Sequence, residues 1–419
     1  MSCGLGFTFL SRDEPFQEEE EVTETFSPLA APLLSYSLSV EDAVAPDELV
    51  PGYFPTLGVS VSFLREFSSL CQSAGCGDIA ELTTTEVCER VVKPSTAKYK
   101  MSLCDVLQQS HAAGVGEARV FISHAWKYKF VDVMNALENQ FQTNTIVWFD
   151  VFSVNQHSTG QKDFDWWSTT FQDAIRKFGR TVMVLSPWRD PVPFTRAWCL
   201  WELYSTVITG CKFEVAFSSR DRQEFFKEVS DRSLNAMKAK IDVSRSESFD
   251  PKDKELIMAA IDKQTTCSEL NKRVFQEIRD WMTTVLEAEL ANMQQSNTFD
   301  DANVKIRNLR NLATLYSNQG KYDEALPLYE KSLKMRKTVL GDNHPDTLGS
   351  MNNLASLYDN QGKYDEALPL YEECLKMRKT VLGDNHPDTL TSMNNLAGLY
   401  KNQGKYDEAL PLYEECLKM

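Results

Sequence analysis

Polar side chains able to bind or transform a ligand stand where three apolar runs of this chain stop. Ser123 and His124 close the run that begins Arg119-Val-Phe-Ile, Asp150 closes Thr145-Ile-Val-Trp-Phe149, and Ser186 closes Thr181-Val-Met-Val-Leu185. If these runs are parallel strands, a hydroxyl pair, an imidazole and a carboxylate gather at their carboxyl ends, where open α/β sheets bind ligands. Trp198 and Glu202 follow four residues apart and share one face if their segment is helical. A second set is made of amides: Asn352, Asn353 and Asn360, with Asn394, Asn395 and Asn402 one period further on. Asn side chains can pair with the backbone of an extended peptide. Both sets also admit a structural reading. The asparagines would then hydrogen-bond within their own array. Trp198, Cys199 and Leu203 would be helix–sheet core, and Glu202 a solvated or salt-bridged helix residue. His124 would be a hydrogen-bonded structural residue, Asp150 a loop cap and Ser186-Pro187 a strand-ending turn.

These positions demand a sheet and helices. The run ending at Ser123, Thr145 to Phe149, Thr181 to Leu185 and Lys212 to Phe217 read as buried strands. Between them Lys127 to Phe141, Trp166 to Phe178 and Thr195 to Ile208 have helical patterning, with a further helix near Arg222 to Val229 and a weak strand near Lys240 to Val243. Strands alternating with helices of this length predict βαβ units and a parallel sheet with continuously apolar strands. Leu64 to Leu70 and Ser102 to Gln109 are helix candidates in an otherwise uninformative stretch.

At 419 residues the chain suits two or three domains, and 42% hydrophobic with 25% charged residues is ordinary for a folded protein. A net charge of −16 argues against DNA, RNA or an anionic membrane as the main partner. No apolar run reaches the ~18–20 residues that span a bilayer, and the N-terminus lacks a signal-peptide pattern. None of the ten cysteines completes a zinc-type spacing, so no metal site is expected. They read as reduced, mostly buried thiols of a cytoplasmic protein. The expected organisation is a disordered acidic segment over 1–50, a small helical leader of unassigned role over 51–117, an α/β domain over 118–250, a helical extension over 251–300 and a repeat array over 303–419.

The array announces itself by period. Tyr322, Tyr364 and Tyr406 lie 42 residues apart, as do Gly320, Gly362 and Gly404. Tyr322 to Leu348 and Tyr364 to Leu390 differ only at 331/373 and 332/374. Within a period, Met351-x2-Leu354-Ala355-x-Leu357-Tyr358 has helical spacing, Gly362 stops that helix and Tyr364-x2-Ala367-Leu368 starts its partner. Asp384-Asn-His-Pro387 ends the unit, and Pro369 lies near the start of the second helix. The pattern resembles the tetratricopeptide repeats of kinesin light chains. That resemblance implies helical hairpins stacked into an all-α solenoid whose first helices line a peptide-binding groove. Two units read as complete and a third as incomplete, so either the array is expected to continue or Leu410, Leu412 and Tyr413 are expected at an exposed apolar end that a partner or a second copy covers.

Phe121-Ile-Ser-His124, Trp148-Phe-Asp150, Val184-Leu-Ser-Pro187 and Trp198-Cys-Leu-Trp-Glu-Leu203 occur in that order. The series resembles a TIR domain over about Ala118 to Phe217, which implies a flavodoxin-like α/β fold. Trp148 to Gln156 is also similar to fungal HET domains. Enzymatic TIR domains cleave NAD at the nicotinamide–ribose bond, and the resemblance gives Glu202 the place of their catalytic glutamate. A carboxylate there would steady the oxocarbenium-like ribose. The same resemblance makes NAD a substrate rather than a resident cofactor. Ser123, His124, Trp126, Lys127, Asp150, Asn155, His157, Ser186 and Trp198 would surround it, with Trp126 stacking on a base and the loop Val154 to Lys162 closing over phosphate. The chain departs from familiar TIR enzymes: His124-Ala-Trp-Lys127 replaces an Arg-rich turn, and the second loop lacks Arg-Asp-x2-Pro-Gly.

Three functions follow as expectations. The first is a signalling adaptor that binds a protein partner through the array and responds through the TIR-like domain, by self-association or NAD cleavage. The second is a non-enzymatic scaffold. The third is a kinesin-light-chain-like cargo adaptor, which would carry a long coiled coil before the repeats; Glu277 to Met293 is too short for one.

Overall fold

The computed structural model describes residues 54–73, 78–158, 164–228, 241–248, 251–293 and 299–418. The acidic stretch within 1–50, Lys162 and the start of the weak strand at Lys240 lie outside the described residues. The chain divides into two units, 1–225 with 233–281, and 226–232 with 282–419.

Four strands of the first unit form where continuous apolar runs were read. Strands β1 (Leu57–Ser60), β2 (Val115–Glu117), β3 (Phe121–Ser123), β4 (Ile146–Val147), β5 (Arg180–Val184) and β6 (Lys212–Ala216) follow in chain order. β3, β5 and β6 pair in parallel, with Ser123 beside Met183 and Val184 beside Ala216. The backbone of Trp148, just past β4, bridges to Phe121: its N–H donates to the Val120 carbonyl (2.7 Å) and its carbonyl accepts from Ile122 (3.0 Å). β4 also pairs antiparallel with β1, and β1 with β2. Gly58 permits the β1–β4 approach, because a Cβ there would lie 2.2 Å from the Val147 carbonyl oxygen.

This sheet is mixed, which corrects the wholly parallel expectation. β1 and β2 come from the stretch read as a separate helical leader. Helix α1 (Val61–Ser73) and helix α2 (Leu103–Gln109) come from it too. Their apolar residues, among them Phe67, Val87 and Val106, share one core with Phe130, Phe149, Val182 and Ala216. Residue 117 is therefore not a structural boundary. Rings meet at this core, Phe67 with Phe152 at 4.9 Å and Phe130 with Phe149 at 6.2 Å between centroids. A separate stack joins Phe121 to Trp148 at 4.7 Å and Phe54 to Trp148 at 5.5 Å.

Helices α3 (Phe130–Gln140), α4 (Asp150–Ser153), α5 (Phe164–Phe178) and α6 (Ala197–Ile208) connect the parallel strands. α6 buries nine of its twelve residues, including Trp201, Glu202 and Tyr204. A helix apolar nearly all round must be enclosed. Thr206 on α6 donates to the Thr181 hydroxyl on β5 (2.7 Å), fixing that helix against the sheet. α7 (Ser219–Glu228), α8 (Pro251–Asp262) and α9 (Cys267–Asn292) follow. The weak strand near Val243 is instead a 3₁₀ turn, Val243–Arg245, capped by the Asp242 carboxylate. Asp and Ser side chains there bond the local backbone and compete with a ladder.

The second unit contains three antiparallel helix pairs: α10 (Phe299–Asn318) with α11 (Tyr322–Leu340), α12 (Pro345–Asn360) with α13 (Tyr364–Leu382), and α14 (Pro387–Asn402) with α15 (Tyr406–Lys418). Gly362 turns between helices at φ +73°, a conformation that glycine takes without strain. His344 and His386 cap the next first helices, their Nδ1 atoms accepting from the N–H of Asp346 and Asp388 at 3.1 Å. Small side chains recur where the helices cross: Ala313, Ala355 and Ala397 are all buried, as are Ala325, Ala367 and Ala409. Ser332, Cys374 and Cys416 each donate to a carbonyl on the preceding helix, that of Ile306, Leu348 and Leu390.

Neighbouring pairs are joined by a second repeated bond. Tyr358 and Tyr400 hydrogen-bond Glu330 and Glu372 on the helix before. Tyr316 does the same with Glu287, and Gln319 donates to Thr283 at 3.4 Å. The α9 residues from Met282 onward thus hold the first pair as a preceding second helix would. α15 spans 13 residues against 19 in α11 and α13. Leu410 is exposed there, while Leu412 and Tyr413 are half-buried.

Candidate functional site

β3, β4 and α6 bring four of the anticipated residues, together with Cys199, to one buried place. Ser123 ends β3 and His124 follows it. Asp150 opens α4, directly after the Trp148 bridge. Cys199 and Glu202 come from α6. All five are buried. The Trp126 indole donates to Asp150 Oδ2 at 2.7 Å, and the N–H of Val151 donates to Oδ1 at 2.8 Å. His124 Nδ1 lies 3.8 Å from Asp150 Oδ1, and its ring meets Phe149 edge-on at 4.8 Å. The Cys199 thiol donates to the His124 carbonyl at 3.4 Å.

Burial sets the charge of this group. It pushes the Asp150 carboxyl up to about 7, against the two bonds that favour the carboxylate. It raises Glu202 well above the carboxylate range, more than the nearby Ser123 hydroxyl lowers it, and Asp150 adds repulsion. It pushes His124 down to about 3. Burial thus favours the carboxylic acid form of Glu202 and the neutral imidazole of His124. Ser123 Oγ, His124 Nε2 and Glu202 Oε2 each lack a hydrogen-bond partner of good geometry among the described residues. A buried polar atom left unpaired costs about 1–3 kcal/mol, so three in one cluster mark a place suited to a polar guest.

The other anticipated residues go elsewhere. Asn155 Nδ2 donates to the Lys100 carbonyl at 2.8 Å, and His157 Nε2 lies 2.9 Å from the Thr96 hydroxyl. Residues 154–158 are thus tied down by bonds to Lys100 and Thr96. Trp198 donates to Asp253 on α8 at 3.1 Å. Lys127 is exposed. Ser186 donates to Asp221, which also accepts from Ser218 at 2.7 Å. These residues border a cavity of about 630 Å³ whose lining includes Asp132, Arg189 and Glu224 but neither Glu202 nor His124. Asp221 was not anticipated. Its signal was Ser218-x2-Asp221 at the start of α7, a capping pattern.

The array's asparagines divide into two groups. Asn395 Nδ2 donates to Asn352 Oδ1 at 3.2 Å, and Asn402 Nδ2 to Asp359 Oδ1 at 3.1 Å. These bonds tie neighbouring first helices, α12 and α14. Asn353 is half-buried, Asn360 and Asn394 are exposed, and all three amides are unengaged among the described residues. Asp359 belongs to the same row and was not anticipated.

A family model described as tetratricopeptide repeat matches residues 305–380 and 360–419. The C-terminal hairpins are tetratricopeptide repeats. A curated nucleotide-binding leucine-rich repeat (NLR)-like protein of Hyaloscypha variabilis is 45% identical over 84 residues, 19% of this chain and 8% of that protein. The chain thus spans less than a tenth of that relative's length. Among solved structures, the Podosopora anserina putative kinesin light chain repeats are 25% identical, covering 48% of this chain and 86% of theirs at a TM-score of 0.31. BtubC (BKLC) of P. vanneervenii is 16% identical over 60% of this chain and 87% of its own, at 0.29. Among the described residues no helix is long and apolar enough to cross a membrane, and no group of His, Cys, Asp and Glu is placed to hold a metal.

Proposed function

We propose that this protein is a signalling adaptor that takes an extended segment of a protein partner along the first helices of its repeats. The observation that carries this reading is the split among the asparagines. Asn352–Asn395 and Asp359–Asn402 fix adjacent helices side by side, which leaves the amides of Asn353, Asn360 and Asn394 beside them to pair with a peptide backbone. Binding of a degenerate peptide library to the full chain tests it. Asn353→Ala/Asn394→Ala should weaken capture about tenfold. Unchanged capture by that variant would sink the reading.

The output is assigned to the first unit, read as TIR-like. Its support is strand order: the parallel part runs β4-β3-β5-β6, so in chain order the second strand lies outside the first and the third lies inside. This order is in keeping with a flavodoxin-like arrangement, whose switch point would fall between β3 and β5. Self-association of this unit is one form of output.

A second reading, NAD cleavage at Glu202, has one specific observation in its favour. Glu202, Ser123 and His124 hold unpaired polar atoms at the carboxyl end of β3, beside that switch point. Burial disfavours the ionised carboxyl, and a cationic nicotinamide ring would favour it. An NAD-cleavage assay on the full chain, clustered and unclustered, decides this. Equal rates for the wild type and Glu202→Ala, or none in either, would remove the reading.

A further inference from the structure

The cavity beside Ser186 is lined by neither the strand-end cluster nor the asparagine row. It lies past the carboxyl ends of β5 and β6, which lead into Ser186 and Ser218, and it is walled by α3 and the start of α7. Ligands of open α/β sheets sit outside those strand ends. A volume of about 630 Å³ falls within the ~300–1,000 Å³ of small-molecule sites.

The hydroxyls of the lining have spent their protons. Ser186 and Ser218 both donate to Asp221 Oδ2, the latter at 2.7 Å. Ser219 donates to Asn139 Oδ1 at 2.9 Å. A hydroxyl whose proton is committed offers only lone pairs, and an ionised carboxylate offers nothing else. The cavity is therefore rich in acceptors and suits a guest that donates.

Charge narrows the class of guest. Two of the four carboxylates in the lining are held by cations: Glu138 by Arg65 at 3.0 Å, and Glu224 by Arg189 at 2.7 Å and Arg220 at 3.1 Å. The other two are not. Asp221 accepts from neutral donors, the two serines and the N–H of Trp188 at 3.4 Å. Asp132, half-buried on α3, makes no hydrogen bond or ion pair among the described residues. Burial raises its pKa; Lys129 opposes that, but is itself bonded to Glu81 at 2.8 Å, and repulsion from Asp221 adds to the rise. Asn135, one turn further along α3, is exposed, and its amide is unengaged among the described residues. A neutral polyol would meet the acceptors but leave Asp132 and Asp221 without a counter-charge.

We propose that this cavity binds a small, freely diffusing organic cation, an alkylamine or alkylguanidine. Asp132 is its counter-ion, and the Asn135 carbonyl and the Ser186 lone pairs take its remaining N–H groups. A guest with two cationic ends would also answer Asp221. The volume exceeds what one inserted lysine or arginine side chain fills, which favours a free molecule over a side chain of a partner.

Calorimetric titration of the full chain with putrescine, agmatine and spermidine tests this, with 1,4-butanediol as the neutral match to putrescine. At least one of the cations should bind about tenfold more tightly than the diol, the gain that a hydrogen bond to a charged group supplies. A chain of net charge −16 attracts any polyamine loosely, so the variants decide. Asp132→Asn should weaken that binding about tenfold. Asn135→Lys, at an exposed position, should weaken it too by placing a resident ammonium in the cavity. Circular dichroism checks that both variants are folded. Affinity unchanged in both would reduce the effect to general attraction and overturn the site. A diol that binds as well as the amines would overturn the cation assignment, and binding by none of the three cations would overturn the proposal outright. A blocked tripeptide with a central arginine that binds more tightly than agmatine would hand the cavity to a partner's side chain, which also contradicts it.

Discussion

The strand-end cluster of the α/β unit and the asparagine row of the array both gather polar side chains, but the fold treats them in opposite ways. At the strand ends, Ser123, His124, Asp150, Cys199 and Glu202 are enclosed, and burial shifts the four titratable groups toward their neutral forms. On the array, Asn352 and Asn395 satisfy each other, and their neighbours Asn353 and Asn394 keep free amides at the surface. Enclosed groups gain electrostatic strength but are reached only by a guest that replaces what encloses them. Surface amides are weak singly and available at once. The contrast favours recognition by the array and makes any chemistry of the cluster conditional on a ligand that opens it.

The largest expected effect concerns how the enclosure is built. Phe67 comes from the stretch before residue 117, yet it packs on Phe130 and Phe152. Phe67→Ala should cost about 3–5 kcal/mol in denaturant unfolding of the full chain. A loss under about 1 kcal/mol would separate that stretch from the core and break the contrast.

The next effect is a pH response confined to the enclosed cluster. Asp150 has a raised folded pKa, so its contribution is fully present below about pH 4 and is lost as pH rises through about 7. His124, with a depressed pKa, contributes fully above about pH 6.5 and loses that as pH falls toward 3. Asp150→Asn should therefore flatten the decline in thermal stability between pH 4 and about 7. An unaltered pH profile in that variant would contradict the enclosure of Asp150.

In the array the expected effects are smaller and local. Gly362 holds φ +73°, so Gly362→Ala should cost about 1 kcal/mol, read as a lower midpoint for helix melting. Asn353→Ala/Asn394→Ala should change stability by less than about 0.5 kcal/mol, because neither amide is engaged. A larger loss would place those residues in the structural group with Asn352 and Asn395.

The same contrast explains what the sequence disclosed. The array was legible because each 42-residue unit contacts only its neighbours, so its helices, glycine turns and buried alanines repeat in phase. β3, β4, β5 and β6 were legible as apolar runs. β1 and β2 were not, since Leu57-Gly-Val-Ser and Val115-Gly-Glu are short, carry glycine and lack alternation. Their pairing is fixed by Val147 and by each other, partners distant in the chain. At the site, Ser123 and Asp150 could be read from the strand ends, and Glu202 joins them from helix α6. Anchoring of His157 by Thr96, of Asn155 by Lys100 and of Ser186 by Asp221 depends on contacts that no local pattern records.

The central claim is that recognition belongs to the array's free amides and not to the enclosed cluster. The direct measurement is the affinity of the full chain for one peptide selected from the library, compared across wild type, Asn353→Ala/Asn394→Ala and Glu202→Gln. The account predicts about tenfold weaker binding for the asparagine variant, ~1.4 kcal/mol, and wild-type affinity for Glu202→Gln. Binding that survives loss of both amides, or that falls with Glu202→Gln while the fold is intact, would contradict it.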